Sequence, residues 1–343
     1  MSYSDIRFKA DIDWIEISIE TEKNTNRQGI NSVIAKHTGN ASTYIAPYDG
    51  NGEPIPKNQA NQGNNVFRIR FQDPKNWAQI DNAIVAIESA YGFLSAPQIE
   101  ALEVAVDAYL KNSALSPEDV LPELVVKHLY RLGKKASKNE RIGKQNAPDG
   151  LTVMSATEAI RLIRDQAQIR IGSQRDYQHK NMSYEKDAIS QRLYYKTTDK
   201  ITHADQDHPE IIQLPKSQCR ARIELTLQQG KDFHALNGEN KRPTQSLADF
   251  KNYRFENLTH EGYFRFFILV EPLSDEYGLY KYEESRAKIE REKDESLRKD
   301  HRQNRRCRNK HRAGTKANKH LNKCVRDALS GLTKRWCKNP EKC

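Results

Sequence analysis

The segment Arg192-Leu193-Tyr194-Tyr195-Lys196 is where this chain has its clearest capacity for covalent chemistry. Side chains alternate along an extended segment. Arg192, Tyr194 and Lys196 therefore share one face, and Tyr195 points to the other. A phenol ionises near pH ~10 and is a poor nucleophile at neutrality. Flanking cations stabilise the phenolate and can also neutralise a phosphate beside it. Taken alone, Arg-x-Tyr-x-Lys is also an ordinary exposed strand face, so its chemistry needs support from other residues.

Carboxylates supply the second constellation. Glu103 and Asp107 stand four apart in an apolar run with Ala105 between them, which in a strand puts all three on one face. Glu224 lies among apolar neighbours in Arg222-Ile223-Glu224-Leu225, and Asp13 lies in an early alternating stretch. Acids in central strands are costly to bury unless they are paired or metal-bound. Clustered hard oxygen donors fit Mg²⁺ or Mn²⁺, which polarises a phosphate oxygen. Pairing with Arg222, Arg220 or Lys196 as structural ion pairs is an equal alternative. His203 and His208 fall in a polar stretch that reads as a solvated loop. Cys307, Cys324, Cys337 and Cys343, with His301, His311 and His320, contain no Cys-x2-Cys pair and make a poor zinc site.

The elements that must position these residues follow from periodicity. Residues 11–19 and 65–71 alternate and predict strands. A helix is expected from Pro74, with Trp77, Ile80, Ile84, Ile87 and Tyr91 as its buried stripe. Residues 22–65 are rich in Asn, Gly, Thr and Pro and read as turns. Ser116 opens a further helix that Gly133 could end, and residues 134–144 read as a basic loop. Residues 155–158 open a third helix, and residues 169–173 read as a strand. Residues 174–190 read as a loop, 191–196 and 220–227 as strands, 246–255 as a short helix and 262–270 as a strand. The fold class expected is α+β, a largely antiparallel central sheet with flanking helices, plus a basic C-terminal tail that is helical or partly disordered. The expected domains are a body at 1–275 and a charged tail at 276–343, ending in an amphipathic helix through Val325, Ala328, Leu329, Leu332 and Trp336.

Charge is segregated. The chain has 343 residues and a formal net charge of +10. Residues 301–343 hold 14 Lys and Arg against 2 Asp and Glu, so all the net basicity lies there. This pattern fits an arm for a polyanion, with Arg302, Arg305, Arg306, Arg308, Lys310 and Arg312 as expected DNA contacts. Five cysteines, an odd number, argue against a secreted disulfide scaffold and for a reducing cytoplasm. The N-terminus lacks the apolar core of a signal peptide, and the best apolar run, 266–270, is too short to span a membrane.

The order of the pieces carries a resemblance. An Asp-bearing strand is followed by Phe-Arg-Ile-Arg-Phe and Asp-Pro-Lys at 67–75, then by Glu103-Val104-Ala105-Val106-Asp107. Arg170-Ile171-Gly172, Arg192–Lys196 and Arg222-Ile223-Glu224 come next. Over roughly residues 11–227 the chain resembles the replication initiation factors of rolling-circle plasmids and filamentous phages, the Rep_trans family. Glu103 stands where Asp is usual, Arg170 stands where an aromatic is common, and the stretch between Gly172 and Tyr194 is longer than usual. The resemblance implies a metal-dependent, origin-specific DNA nickase and strand transferase with a covalent 5′-phosphotyrosine intermediate. Tyr194 would be the DNA-linked residue, with Tyr195 as runner-up and Tyr177 and Tyr184 as weaker rivals. Arg192 and Lys196 would flank it, and Glu103, Asp107, Glu224 and Asp13 would be the metal positions. Origin DNA, double- and single-stranded, and a host helicase would be its partners in a bacterial cytoplasm, and a homodimer would be compatible. The alternative is a non-enzymatic DNA-binding regulator of plasmid or phage replication or transcription.

Overall fold

A computed structural model describes residues 5–38, 43–49, 54–56, 62–111, 114–125, 140–144, 161, 163–165, 169–173, 189–201, 210–228, 246–259, 264, 267–269, 315–317 and 319–337. The alternation at 11–19 extends both ways into a long strand, β1 (Ile6–Thr25). It lies between β3 (Asn64–Gln72) and β4 (Gln98–Leu110), both antiparallel, so that Ile17 faces Ile69 on one side and Ile99 on the other. β2 (Thr43–Tyr48) completes that edge. Beyond β4 come β10 (Arg220–Gln228), β7 (Ile189–Lys196), β6 (Ile169–Ser173) and β5 (Glu140–Lys144). The eight-stranded sheet has the order β2-β3-β1-β4-β10-β7-β6-β5, and every pairing in it is antiparallel. With the helices below, the fold is α+β.

One face of the sheet is apolar. Ile15, Ile17, Ile19, Phe67, Ile69 and Phe71 belong to one buried cluster with the stripe of α2 (Trp77–Tyr91) and with Ile30 and Ile34 of α1 (Arg27–Thr38). Each such side chain contributes about 1.5–3 kcal/mol on full burial. The central strand β4 is buried on both faces from Ile99 to Ala108, which is why its sequence lacks alternation. α2 starts at Trp77, later than Pro74, because the Asn76 side chain caps it by accepting from the Gln79 N–H. It ends at Gly92, whose φ of 68° no Cβ-bearing residue adopts cheaply and whose Cβ position would strike Glu22.

Several sequence expectations change. The turn-rich stretch 22–65 holds α1 and β2. Asn26 caps the helix through the Gly29 N–H, and Ile45 pairs across to Ile69, so packing overrides a turn-prone composition. Residues 140–144 of the expected basic loop form β5, since pairing with β6 sets Ile142 opposite Ile171. Residues 189 and 190 of the expected loop belong to β7. The helix opened by Ser116 is α3 (Pro117–Leu124). Gly133, the 155–158 cap, Tyr177, Tyr184, His203 and His208 lie outside the described residues.

The C-terminal helix contributes Leu321, Val325, Leu329, Leu332 and Trp336 to the buried cluster. β11 (Phe267–Leu269) pairs with β12 (Thr315–Ala317), setting Leu269 opposite Thr315, so the chain leaves and returns side by side. The last helix, Lys319–Trp336, is therefore part of the core. Short α4 (Leu247–Phe250) and the turn of 3-10 helix at Phe255–Thr259 pack against it, and it is numbered α5. Trp336 meets Trp77 edge-on at 5.8 Å and Phe250 and Phe255 at 6.1 and 6.2 Å between ring centres. The Thr333 hydroxyl accepts from the Phe255 N–H and donates to Glu256. Arg335 donates to the Ala10 carbonyl and pairs with Asp11. The segment 281–312, with Arg302, Arg305, Arg306, Arg308, Lys310 and Arg312, lies outside the described residues. Among the described residues no helix is long and apolar enough to cross a membrane.

Candidate functional site

Register decides which polar side chains meet. Arg222 stands opposite Asp107 on β4 and Tyr194 on β7, and Glu224 stands opposite Ala105 and Arg192. Thr226 stands opposite Glu103. With a period of two, Glu103, Asp107, Arg222, Glu224, Thr226, Arg192, Tyr194 and Lys196 all fall on the face away from α2.

Asp13 reaches the same place through a β-bulge. Ile12 faces Val104 and Trp14 faces Glu103, so Asp13 is an extra residue against β4. Its carbonyl accepts a 2.7 Å bond from the Asp73 N–H, and Asp73 holds a left-handed φ of 46°. The bulge turns both Asp13 and Trp14 toward the polar face. One carboxylate oxygen from each of Asp13, Glu103 and Glu224 then lies within 4.8 Å of the others, an arrangement that could hold a metal ion.

Arginines interleave with these acids. Arg192 Nη2 bridges Glu103 Oε1 and Glu224 Oε2, at 2.8 Å to each. Arg222 grips both oxygens of Asp107 at 2.7 and 2.8 Å and reaches Asp13 at 3.0 Å. Arg220 approaches Asp107 at 3.2 Å. Lys196 pairs with Asp199 of β8 (Thr198–Ile201), the first strand of a hairpin closed by β9 (Glu210–Gln213). Trp14 Nε1 and the Thr226 hydroxyl donate to the two oxygens of Glu103. Tyr194 donates its hydroxyl to Glu224 Oε1 at 2.5 Å.

Among the described residues, Asp13, Glu103, Asp107, Glu224 and Asp199 interleave with Arg192, Arg220, Arg222 and Lys196. Burial pushes Glu103 up to about 7, and the Glu224 charge adds to that against Arg192 and Thr226. Burial, then Glu224, also holds the Tyr194 phenol well above its ordinary value. Burial and then Asp13 raise Asp73. Burial works against the charge on Arg192, but Glu224 and Glu103 more than offset it.

The structure thus gathers Tyr194, Arg192, Glu103, Glu224 and Asp13. Asp107 sits on the same face but outside the triad, because Arg222 and Arg220 occupy its oxygens. Lys196 lies beside Asp199, one register step further along the strand. Tyr195 is 3% exposed and packs with the core on the opposite face, as its parity requires. The sequence analysis missed Trp14, Thr226 and Asp73. Only a tryptophan adjoining Asp13 and a turn-forming Asp-Pro pair hinted at two of them.

The cysteines form no metal cluster among the described residues. Cys219 and Cys324 are free, and His320 and Cys324 merely adjoin on α5 at 3.7 Å. Cys337 carries a disulfide. Comparison with protein-family models finds no match to this chain, and comparison with curated proteins finds none.

Proposed function

We propose that the chain is a rolling-circle replication initiator. It would nick one strand of origin DNA in a metal-dependent reaction and remain bonded to the 5′ phosphate through Tyr194. The observation that carries this reading is a phenol hydrogen-bonded to one member of a three-carboxylate cluster. Three hard oxygen donors on rigid strands suit Mg²⁺ or Mn²⁺. When bound by Asp13, Glu103 and Glu224, such an ion supplies Lewis-acid polarisation of the scissile phosphate.

The residues of the chain account for the remaining steps. Glu224 Oε1 already accepts the hydrogen bond from Tyr194 and takes its proton. The freed Oη attacks phosphorus in line, forming the Oη–P bond as the P–O3′ bond breaks. The 3′ oxygen leaves with the bonding pair, gains a proton from solvent and becomes the hydroxyl that primes synthesis. A phenol held this high in pKa does not ionise unaided, so Arg222, which lowers it, stabilises the developing phenolate. Arg192 orients Glu103 and Glu224 from one guanidinium. The phosphotyrosine conserves the phosphodiester bond energy, so the reverse attack reseals the strand without ATP. The basic run at 301–312 would add salt-sensitive, sequence-independent affinity, and a host helicase would act on the nicked product.

The test is incubation with supercoiled DNA carrying the element's own origin plus Mn²⁺. A covalent protein–DNA adduct mapping to Tyr194, lost in EDTA and in Tyr194→Phe, is the expected result. Tyr195→Phe should keep both nicking and adduct. An adduct on another tyrosine would remove the nucleophile assignment. No nicking by the folded wild-type protein under any metal would favour the DNA-binding regulator.

A further inference from the structure

The polar face continues past the carboxylates onto β1, β3 and β2. There it carries a pattern that none of the site chemistry uses. Tyr44, Arg70 and Glu16 form one cross-strand row, and Ala46, Arg68 and Ser18 form the next. The Arg70 guanidinium lies over the Trp14 ring, and the Arg68 guanidinium over the Tyr48 ring, each 4.2 Å from the ring centre. The acids of this region lie deeper than the arginines. Side-chain exposure is 11% for Glu16 and 8% for Glu100, against 32% for Arg70 and 26% for Arg68. What solvent meets is therefore guanidinium and aromatic ring, with the compensating charge beneath.

The two arginines are tied unequally. Arg70 gives Nε and Nη2 to Glu16. Arg68 has a looser tie, 3.7 Å to Glu100, and a contact with the Tyr48 hydroxyl. A planar guanidinium held flat on a ring keeps in-plane N–H groups for a phosphate. Tyr44 beside Arg70 is 53% exposed, with its ring open to a partner. The patch is also continuous with the catalytic face, because Trp14 carries Arg70 on its ring and donates its indole N–H to Glu103.

We infer that this β2-β3-β1 face, built from Tyr44, Tyr48, Arg68, Arg70 and Trp14, is a track for single-stranded DNA that leads a strand to Tyr194. The inference rests on the nickase reading and adds where its substrate lies. Single-stranded DNA is the occupant the surface fits, since guanidiniums take its phosphates while the exposed Tyr44 ring stacks on a base that a duplex keeps hidden.

The test uses full-length protein carrying Tyr194→Phe, in EDTA, with a fluorescein-labelled single-stranded DNA read by anisotropy. Binding is thereby separated from chemistry. Tyr44→Ala should weaken affinity about tenfold, the effect of losing one stacked base. Arg68→Ala should weaken it and lower the log-affinity against log-salt slope by about 0.7, the signature of one phosphate contact on a single strand. Arg68→Lys should keep the slope while losing affinity. Duplex binding should be little changed by Tyr44→Ala. Should Arg68→Ala fail to fold, the exposed Tyr44 and the charge-preserving Arg68→Lys still decide the matter. Unchanged single-strand affinity in folded Tyr44→Ala and Arg68→Lys proteins would overturn the track, as would equal losses for duplex and single strand. Loss of oligonucleotide binding in a protein whose wild type forms no adduct would leave the track standing and remove the nickase reading.

Discussion

Metal affinity should rise with pH, and Glu103 sets by how much. Its carboxyl is held at about 7 by burial and by the neighbouring Glu224 charge. A proton and a metal ion compete for the same oxygens, so apparent affinity scales with the ionised fraction. That fraction goes from about one tenth at pH ~6 to about nine tenths at pH ~8, which predicts Mn²⁺ binding about tenfold tighter at the higher pH. Without metal the linkage runs the other way. The folded protein holds this proton more tightly than the unfolded chain does. The stability this provides is complete below about 4.5 and is lost as the pH rises through about 7. The loss is on the order of 3 kcal/mol over the whole range, of which about 1.4 kcal/mol falls between pH ~6 and pH ~8. Calorimetric Mn²⁺ titrations and urea unfolding at the two pH values measure both effects, with Glu103→Gln as control. Equal Mn²⁺ affinity at both pH values, or a Glu103→Gln variant that binds Mn²⁺ as tightly as wild type, would refute the assignment of Glu103 to the ion.

Further outcomes follow from the structure. Asp107→Asn should cost about 3–5 kcal/mol in urea unfolding, because it leaves the buried Arg222 guanidinium short of its principal partner. Glu224→Gln, by contrast, should abolish metal binding at a smaller cost in stability. Trp336→Ala should cost about 3–5 kcal/mol, as a large aromatic lost from the core. Asp73→Gly keeps the N–H that holds Asp13 and relieves a left-handed φ, so Mn²⁺ affinity should persist with a gain of about 1 kcal/mol.

The sequence by itself determined the strands that carry the chemistry. Alternation in β1, β3, β7 and β10 fixes the parity of each side chain, and parity alone puts Tyr194 with Arg192 and sends Tyr195 to the core. It also made the antiparallel α+β class legible, along with the buried stripe of α2 and the amphipathic last helix. Only tertiary structure decided which strands adjoin. Asp13, Glu103 and Glu224 lie far apart along the chain, and they meet because β1, β4 and β10 are neighbours and a bulge adds one residue at Asp13. No local pattern announces a bulge whose carbonyl is bound by an N–H sixty residues on. Nor does local pattern tell which acids cluster: one guanidinium, Arg192, bridges Glu103 and Glu224, while Arg222 and Arg220 hold Asp107. Glu103 and Asp107 look alike in sequence, and the difference comes from cross-strand register, which sets Asp107 against Arg222 and Glu103 against Thr226. The last helix carries the same lesson. Its charge suggested a tail, but its apolar stripe could be buried only against Trp77, Phe250 and Phe255, and those residues come together only once the whole chain has folded.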